Sequence, residues 1–184
     1  MAPTLTTARL VLRGWRAADR APFAALNADP AVMEHFPAPL DREASDALAA
    51  RIAAHFDERG FGLWAVEAPG VAPFLGFVGL SVPRFEAAFT PCVEIAWRLA
   101  REFWGRGYAL EAARAALAHA WGPADLAEVV SFTVPANVRS IALMERLGMR
   151  RDAAGDFDHP LLPEGHRLRR HVLYRLARPA RPAA

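Results

Sequence analysis

A glycine-rich turn that leads into a helix constrains this chain more than any other feature. The stretch from Trp104 to Trp121, "WGRGYALEAARAALAHAW", is rich in alanine and leucine from Tyr108 onward, and that composition favours a helix. The residues just ahead of it, Gly105, Arg106 and Gly107, offer no Ser, Thr, Asp or Asn side chain to cap the first amides. The sequence thus raises the question of what bonds those amides, and the turn is the first candidate site.

An anion is the simplest partner for this turn. Glycines let a ligand approach the backbone closely, and a helix N-terminus presents free amides and a partial positive charge. A phosphate would fit, and Arg106 would add a full charge beside it. The sequence equally allows an ordinary turn in which Gly107 alone caps the helix. A nicotinamide-binding turn fits poorly, because its pattern requires Gly or Ala where Leu110 stands.

The length and composition indicate a single globular domain. The chain has 184 residues, of which 53% are hydrophobic, and no apolar run reaches the roughly 18 residues of a membrane span. The N-terminus lacks a signal-peptide pattern, so we expect a cytoplasmic protein that does not enter a membrane. We expect the domain to cover residues 1–178 and to be followed by a flexible tail over residues 179–184.

The basic residues exclude two classes of chemistry. All 22 of them are arginine, and the net charge is only +2. Without lysine the chain has neither a Walker A phosphate loop nor a pyridoxal-phosphate Schiff base. The basic run "RLRR" has no interleaved aromatic platform, so we expect no direct binding of nucleic acid.

Cysteine and histidine usage argues against a metal. The single cysteine, Cys92, excludes a disulfide within the chain and an all-cysteine metal site, and we interpret it as a packing residue. His159, His166 and His171 are spaced by about seven and five residues, which matches no metal-ligand pattern. We therefore expect no metal.

The order of elements predicts an α/β protein with a mixed sheet. Residue alternation predicts strands, and apolar stripes with helix caps predict helices between them. Strands meet in a meander before helices cross over between the later strands. The predicted strands are "RLVLRGW", "GLWAVEA", "FLGFVGLSV", "CVEIAWRL", "AEVVSFTV" and "HVLYRL", and the other predicted helices are "AADRAPFAALNAD", "DREASDALAARIAAHFDERG" and "NVRSIALMERLG".

Three stretches together resemble a known family. The strand "VEIAWRL", the turn "WGRGYALEA" and the helix "NVRSIALMERLGM", which Asn137 would cap, are similar in order and spacing to the GCN5-related N-acetyltransferases (GNAT). The form of the turn and Ser140 resemble the RimJ/RimL branch, which includes ribosomal-protein N-terminal acetyltransferases. The resemblance extends from about Thr7 to Leu176.

The resemblance implies a fold, a co-substrate and a binding site. The fold would be the GNAT acyl-CoA N-acyltransferase fold, a central, mostly antiparallel sheet with flanking helices. Acetyl-CoA would lie beside the fourth predicted strand, whose backbone would pair with the pantetheine arm and polarise the thioester. The pyrophosphate would occupy the uncapped amides. The implied cofactor-binding residues are Trp97, Leu99, Trp104, Gly105, Arg106, Gly107, Tyr108, Ala109, Asn137 and Ser140.

Two positions depart from the family pattern. Many members have Gln or Arg where Trp104 stands, and many have a Tyr, the general acid for the leaving thiolate, where Met144 stands. A methionine cannot donate a proton. We expect Ser140 to take that catalytic role, although it could instead only bond the cofactor or its own helix.

The base that would deprotonate the amine has several candidates. Glu94 lies three residues before Trp97, so the two side chains should face opposite sides of the sheet, with Glu94 toward the acceptor. His159 and Asp158 lie in "DFDHPLLPEGHRLRRH", a predicted loop that could shape the acceptor pocket. Glu94 could equally be a salt-bridged strand residue, and the loop could simply be solvated.

The resemblance predicts direct transfer of acetyl from acetyl-CoA to a primary amine. A protein or peptide N-terminal α-amine is favoured, because its pKa of about 7.7 to 8.0, against about 10.4 for lysine, leaves a large fraction of it neutral near about pH 7.5 without a strong base. An antibiotic or polyamine acceptor would be favoured by an acidic pocket around Asp156, Asp158 and Glu164, and a peptide by an apolar one. Met144 also allows a catalytically silent acyl-CoA-binding module. A monomer and a homodimer, and acyl groups longer than acetyl, stay open.

Overall fold

A computed structural model describes residues 2–180, which form an open nine-stranded sheet with helices against it. The strands are β1 (Leu5–Thr6), β2 (Val11–Arg13), β3 (Leu63–Ala68), β4 (Ala72–Ser81), β5 (Glu94–Leu99), β6 (Glu128–Thr133), β7 (Arg150–Arg151), β8 (Phe157–Asp158) and β9 (Arg170–Ala177). The α-helices are α1 (Arg20–Ala28), α2 (Arg42–Arg59), α3 (Tyr108–Trp121) and α4 (Val138–Arg146), with short 3₁₀ turns at Ala17–Asp19, Arg101–Phe103 and Ala153–Gly155.

The sheet is antiparallel except where β5 meets β6. Its order is β1-β2-β3-β4-β5-β6-β9-β7, and β8 pairs with β9. The parallel strands β5 and β6 share one register pair among the described residues, Glu94 with Val130. Beyond it they are no longer paired, which leaves a gap between residues 95–99 of β5 and residues 131–133 of β6. We call this gap the wedge.

The predicted mixed sheet is confirmed, and helix α2 shows why its ends could be predicted. Asp41 accepts a hydrogen bond from the amide of Ala44 (2.8 Å), and Gly60 ends the helix in the left-handed region at φ 74°. The strands β1, β7 and β8 were not predicted, since two residues are too few to show alternation.

The start of α1 has no side-chain cap. Asp19 occupies the N-cap position, but its side chain makes no capping bond. Both carboxylate oxygens accept instead from the guanidinium of Arg13 (2.8 and 2.9 Å), and one also accepts from the amide of Arg16. A buried arginine therefore takes the carboxylate that the helix would otherwise use.

The two faces of the sheet are covered by different helices. Phe77 of β4 lies opposite Arg98 of β5 and packs against Phe23 of α1, with ring centroids 6.0 Å apart, so we call this side the α1 face. Trp64 of β3 lies on the other side, where its ring packs 5.2 Å from His119 of α3, and we call that side the α3 face. By alternation, Glu94 and Phe132 lie on the α1 face, and Ile95, Trp97 and Leu99 on the α3 face.

None of the helices between residues 2 and 180 is long and apolar enough to cross a membrane. Residues 181–184 of the expected tail lie outside the described part of the chain.

Candidate active site

The wedge exposes backbone polar groups along one edge of β5. The amide of Val130 donates to the carbonyl of Val93 (2.9 Å), where β6 still pairs with β5. Alternate residues of a strand point their backbone groups to the same edge, so those of Trp97 and Leu99 point into the wedge. The Leu99 carbonyl is already bonded by the indole Nε1 of Trp104 (2.7 Å). The backbone amide and carbonyl of Trp97 and the amide of Leu99 are thus available to pair with an extended ligand.

The turn ahead of α3 has the conformation of an open cradle. Gly105 and Gly107 both have positive φ, 72° and 80°, and Gly107 is the N-cap residue without a side-chain bond to the helix. Nothing lies within 4 Å of the point where a Cβ at Gly105 would stand. Arg106 between them is exposed, and Tyr108 and Ala109 begin the helix. Space, free amides and the helix dipole therefore coincide at this turn.

Arg9, which sequence reasoning missed, supplies a second positive charge at the turn. Its Nη1 donates to the carbonyl of Arg106 (3.0 Å), its Nε pairs with Glu111 (2.7 Å), and its guanidinium lies over the ring of Tyr108 at 4.8 Å. Glu111, in the first turn of α3, thus forms an ion pair with Arg9 and does not cap its own helix. Arg139, at the start of α4, lies over the ring of Trp104 at 4.7 Å and adds a further cation nearby.

A chain of side-chain hydrogen bonds joins the two strands of the wedge to α4. The indole Nε1 of Trp97 donates to Oγ of Ser140 (3.1 Å). Asn137 accepts from the amide of Ser140 (3.3 Å) and donates to Oγ1 of Thr133 (3.0 Å). Asn137 therefore caps α4, as the sequence predicts. Met144 is 1% exposed and belongs to the core, so its side chain is not available at the wedge.

Glu94 lies at the closed end of the wedge, where β5 and β6 still pair, and on the α1 face. Its Oε2 accepts a hydrogen bond from Oγ of Ser81 (3.3 Å), which stands directly across from it on β4. Burial raises the pKa of Glu94 to about 7, and the bond from Ser81 lowers it only in part. Glu94 and Trp97 face opposite sides of the sheet. A carboxylate with this pKa is suited to accept a proton near neutral pH.

Asp158 and His159 have different surroundings, although they are neighbours in sequence. The Asp158 carboxylate is half-exposed and lies 3.6 Å from Arg169 and 3.5 Å from Arg170. The His159 ring packs between aromatic rings, and its Nδ1 accepts from the amide of Leu161 (3.3 Å). Burial, together with the charge of His171, lowers the pKa of His159. The neutral form of His159 is therefore favoured at pH 7.

An aromatic cluster stands beside Glu94 on the α1 face. Its rings come from four segments that are distant in sequence, and neighbouring centroids lie 4.6 to 6.4 Å apart. The rings are half-buried, so they form a wall open to solvent. Sequence reasoning missed the cluster, because two of its members lie in the irregular β4–β5 loop. The members of this aromatic cluster are Phe85, Phe89, Phe132, Phe157, His159 and His171.

Two of the acidic residues near the cluster are paired with arginines. Asp156 pairs with Arg151 and accepts from the amide of Leu173 (3.2 Å), and Asp158 lies between two arginines. Glu164 is exposed. The acidic pocket that would favour a polycationic acceptor is therefore not formed by these three carboxylates.

Comparison with known proteins identifies relatives. A family model described as an acetyltransferase (GNAT) domain matches residues 9–150. The chain is 35% identical over 95 residues to the uncharacterized protein YkkB of Bacillus subtilis, a match that covers 50% of this chain and 54% of YkkB. It is 34% identical over 154 residues to the FsC-acetyl coenzyme A-N(2)-transacetylase of Aspergillus fumigatus, covering 80% of this chain and 65% of that protein. The chain thus spans less than two thirds of the length of these curated relatives.

Solved structures share the fold along nearly the whole chain. An acetyltransferase from Agrobacterium tumefaciens superimposes with a TM-score of 0.77 at 28% identity, covering 96% of this chain and 95% of that one. RimJ of Mycobacterium smegmatis, solved with CoA-disulfide, superimposes with a TM-score of 0.74 at 18% identity, covering 95% and 87%. A yncA acetyltransferase from Salmonella typhimurium, solved with acetyl-CoA, has a TM-score of 0.68 at 18% identity and coverages of 96% and 98%.

Proposed function

The chain belongs to the GNAT acetyltransferase family, and we propose that it transfers acetyl from acetyl-CoA directly to the N-terminal α-amine of a protein or peptide, as in the RimJ/RimL branch. One observation carries this proposal. The wedge runs between an uncapped, arginine-flanked helix start and Glu94, so one ligand can reach from an anion site to a base. We assign the activity to residues 1–178 as one domain.

The proposed co-substrate position follows the polar groups of the wedge. The pantetheine arm would pair with the backbone of Trp97 and Leu99, and the pyrophosphate would lie over the amides from Gly105 to Ala109. Arg9 and Arg106 supply the charge that a diphosphate requires. Trp104, Asn137 and Arg139 border the same space.

The α1 face would receive the acceptor. Glu94 would accept a proton as the amine attacks, and its pKa of about 7 suits an α-amine that is already partly neutral. The amide of Trp97 would stabilise charge on the thioester oxygen. Ser140 Oγ accepts the bond from Trp97, so its own hydrogen is left to donate to the leaving sulfur in place of a tyrosine.

The aromatic cluster supports a peptide acceptor over a polyamine. Half-buried phenylalanine rings can cover the apolar side chains of a peptide, and Asp156 and Asp158 are already paired with arginines. A small-molecule amine is the second candidate, because the Aspergillus fumigatus relative at 34% identity is named an N(2)-transacetylase.

Two measurements test the proposal. Calorimetric titration should give micromolar binding of acetyl-CoA, and adenosine 3′,5′-bisphosphate should bind more weakly because it lacks the pantetheine arm. Release of free CoA thiol should then depend on peptides with a free N-terminus and stop when that N-terminus is already acetylated. Turnover of small amines without turnover of any peptide would favour the second candidate, and binding without turnover of any amine would favour a silent binding module.

A further inference from the structure

An arginine without a carboxylate partner lies on the α1 face of β5. Arg98 is on the same side as Glu94 and Ala96, directly across from Phe77 of β4. None of the ion pairs found among residues 2–180 includes it. Burial lowers the pKa of Arg98 to about 10, so the guanidinium is still charged at neutral pH.

The contacts of Arg98 leave one edge of its guanidinium unbonded. Nη1 donates to Oδ1 of Asn27 (2.6 Å), and Asn27 is held in turn by a bond to Ser45 (2.9 Å). The rings of Phe36 and Phe77 lie 4.0 and 5.4 Å from the guanidinium carbon. Aromatic faces attract a cation but accept no conventional hydrogen bond. The buried Nε has no partner among the described residues, and Nη2 has no bond to them either.

Arg13, which is fully buried, shows how this protein satisfies a guanidinium that is removed from water, whereas Arg98 is half-buried with a buried Nε. Its guanidinium contacts the carboxylates of Asp19 and Glu67 and the carbonyl of Pro73, all within 2.9 Å. A buried cation without such partners is unfavourable, because its hydration is lost without replacement. Arg98 therefore has the capacity for an anion that the rest of the described chain does not provide.

Arg98 also lies on the path of the proposed acceptor. Strand geometry places its Cα roughly 13 Å from that of Glu94, on the same face. Phe36, over Arg98, belongs to the segment between α1 and α2, and Arg167 from the β8–β9 segment donates to the carbonyl of Glu34 in it (3.2 Å). These two segments meet above the face, so an acceptor with its amine at Glu94 could extend beneath them toward Arg98.

We propose that Arg98 recognises a carboxylate of the acceptor, carried by the second or third residue of a peptide whose α-amine lies at Glu94. This inference rests on the proposed function, which assigns the α1 face to the acceptor. The Nε–Nη2 edge matches the two oxygens of one carboxylate. Arg98 has no neighbouring cation in its contacts to balance a dianion, so a carboxylate fits better than a phosphate.

Paired peptides test this role. Two series that differ only in Asp against Asn at the second or third position are compared by kcat/KM. The wild-type protein should prefer Asp by about 10- to 100-fold, as expected for a charge-assisted hydrogen bond. Arg98→Met should bring the ratio to about one, and Arg98→Lys should retain part of it. Arg114→Met, which removes an exposed arginine of α3, is the matched control and should keep the wild-type ratio.

The ratio distinguishes recognition from a structural role. Partial unfolding of a variant lowers both rates equally and leaves their ratio unchanged. A wild-type ratio near one, or a ratio that survives in Arg98→Met, would overturn the role of Arg98 and leave the peptide proposal intact.

A pair of small acceptors distinguishes an error about the role of Arg98 from an error about the peptide acceptor. The pair is a short ω-amino carboxylate and its primary amide. If no peptide reacts but the carboxylate is preferred in an Arg98-dependent manner, the peptide proposal is wrong and the role of Arg98 stands. If acetyl-CoA binds and neither peptides nor these amines react, both proposals are wrong.

Discussion

The indole of Trp97 and the hydroxyl of Ser140 are joined by a hydrogen bond of 3.1 Å, from β5 to the first turn of α4. The bond orients Ser140, because an Oγ that accepts from the indole must direct its own hydrogen elsewhere. Trp97 would therefore act on the leaving sulfur through Ser140, as a positioning residue.

Removal of the Trp97 indole or of the Ser140 hydroxyl should lower kcat, because both affect proton donation to the leaving sulfur. We expect Ser140→Ala to reduce kcat by about 10- to 100-fold with little change in acetyl-CoA affinity, since one oriented donor to developing charge is lost. Trp97→Phe keeps the ring and should reduce kcat by about tenfold. The double variant should be no slower than Ser140→Ala alone, because the two effects are not independent. Additive losses in steady-state kinetics would show that Trp97 acts separately.

Glu94 should control the acid side of the pH profile. Since burial raises its pKa to about 7, the carboxylate becomes protonated below that pH and can no longer accept the amine proton. We expect kcat/KM for an α-amine peptide to fall below pH 7 more steeply than protonation of the amine, with its pKa of about 7.7 to 8.0, accounts for. Glu94→Gln should remove this additional inflection near pH 7, leave that of the amine, and reduce the rate by about 100-fold. A loss beyond about a thousandfold would identify Glu94 as a required base and contradict the preference for an α-amine that reacts without a strong base.

His159 should not be that base. Its pKa is lowered by burial, its Nδ1 already accepts from Leu161, and its ring packs 4.6 Å from Phe85. We expect His159→Ala to raise KM for an apolar peptide by loss of ring contacts, while the inflection near pH 7 remains. Disappearance of that inflection in His159→Ala, with Glu94 intact, would assign the proton transfer to the histidine.

Features that depend on residues close together in the chain could be predicted from the sequence, whereas features that depend on contacts between distant elements could not. Helix α2 was predictable because Asp41 and Gly60 act on their own helix ends, and the α3 turn stood out because local capping residues were missing. The pKa of Glu94 and the partner of Ser140 depend on packing between elements. Even so, alternation alone correctly placed Glu94 and Trp97 on opposite faces.

The interactions that sequence reasoning missed join residues far apart in the chain. Arg9 pairs with Glu111 across 102 positions, and Arg98 meets Asn27 across 71. The aromatic cluster combines loop residues such as Phe85 with Phe132 of β6. No periodicity links such positions, so only the folded sheet brings them together.

A charged side chain at Gly107, in the turn ahead of α3, should strongly weaken co-substrate binding. Gly107→Glu places a carboxylate at the proposed phosphate position, and its Cβ would stand 3.3 Å from Nη2 of Arg9. We expect acetyl-CoA affinity to fall by at least about 100-fold, by charge repulsion and loss of the cradle. Gly60→Glu is the matched control, since Gly60 has a similar φ of 74° at the end of α2 with nothing within 4 Å. It should lower Tm by a comparable amount and bind normally. Equal calorimetric affinity of both variants would refute the phosphate position.

Arg9 provides a test of that position that leaves the glycines intact. Its guanidinium holds the Arg106 carbonyl and lies beside the turn, so it should contribute both charge and order to a diphosphate site. We expect Arg9→Met to weaken acetyl-CoA binding by about 5- to 30-fold at low salt, and less at high salt because the attraction is screened. Acetyl-pantetheine, which lacks the diphosphate, should bind both proteins equally. Arg16→Met removes an exposed arginine that pairs with Glu67 and should change neither affinity. If Arg9→Met weakened both ligands to the same extent, Arg9 would support the fold of the turn and not the phosphates.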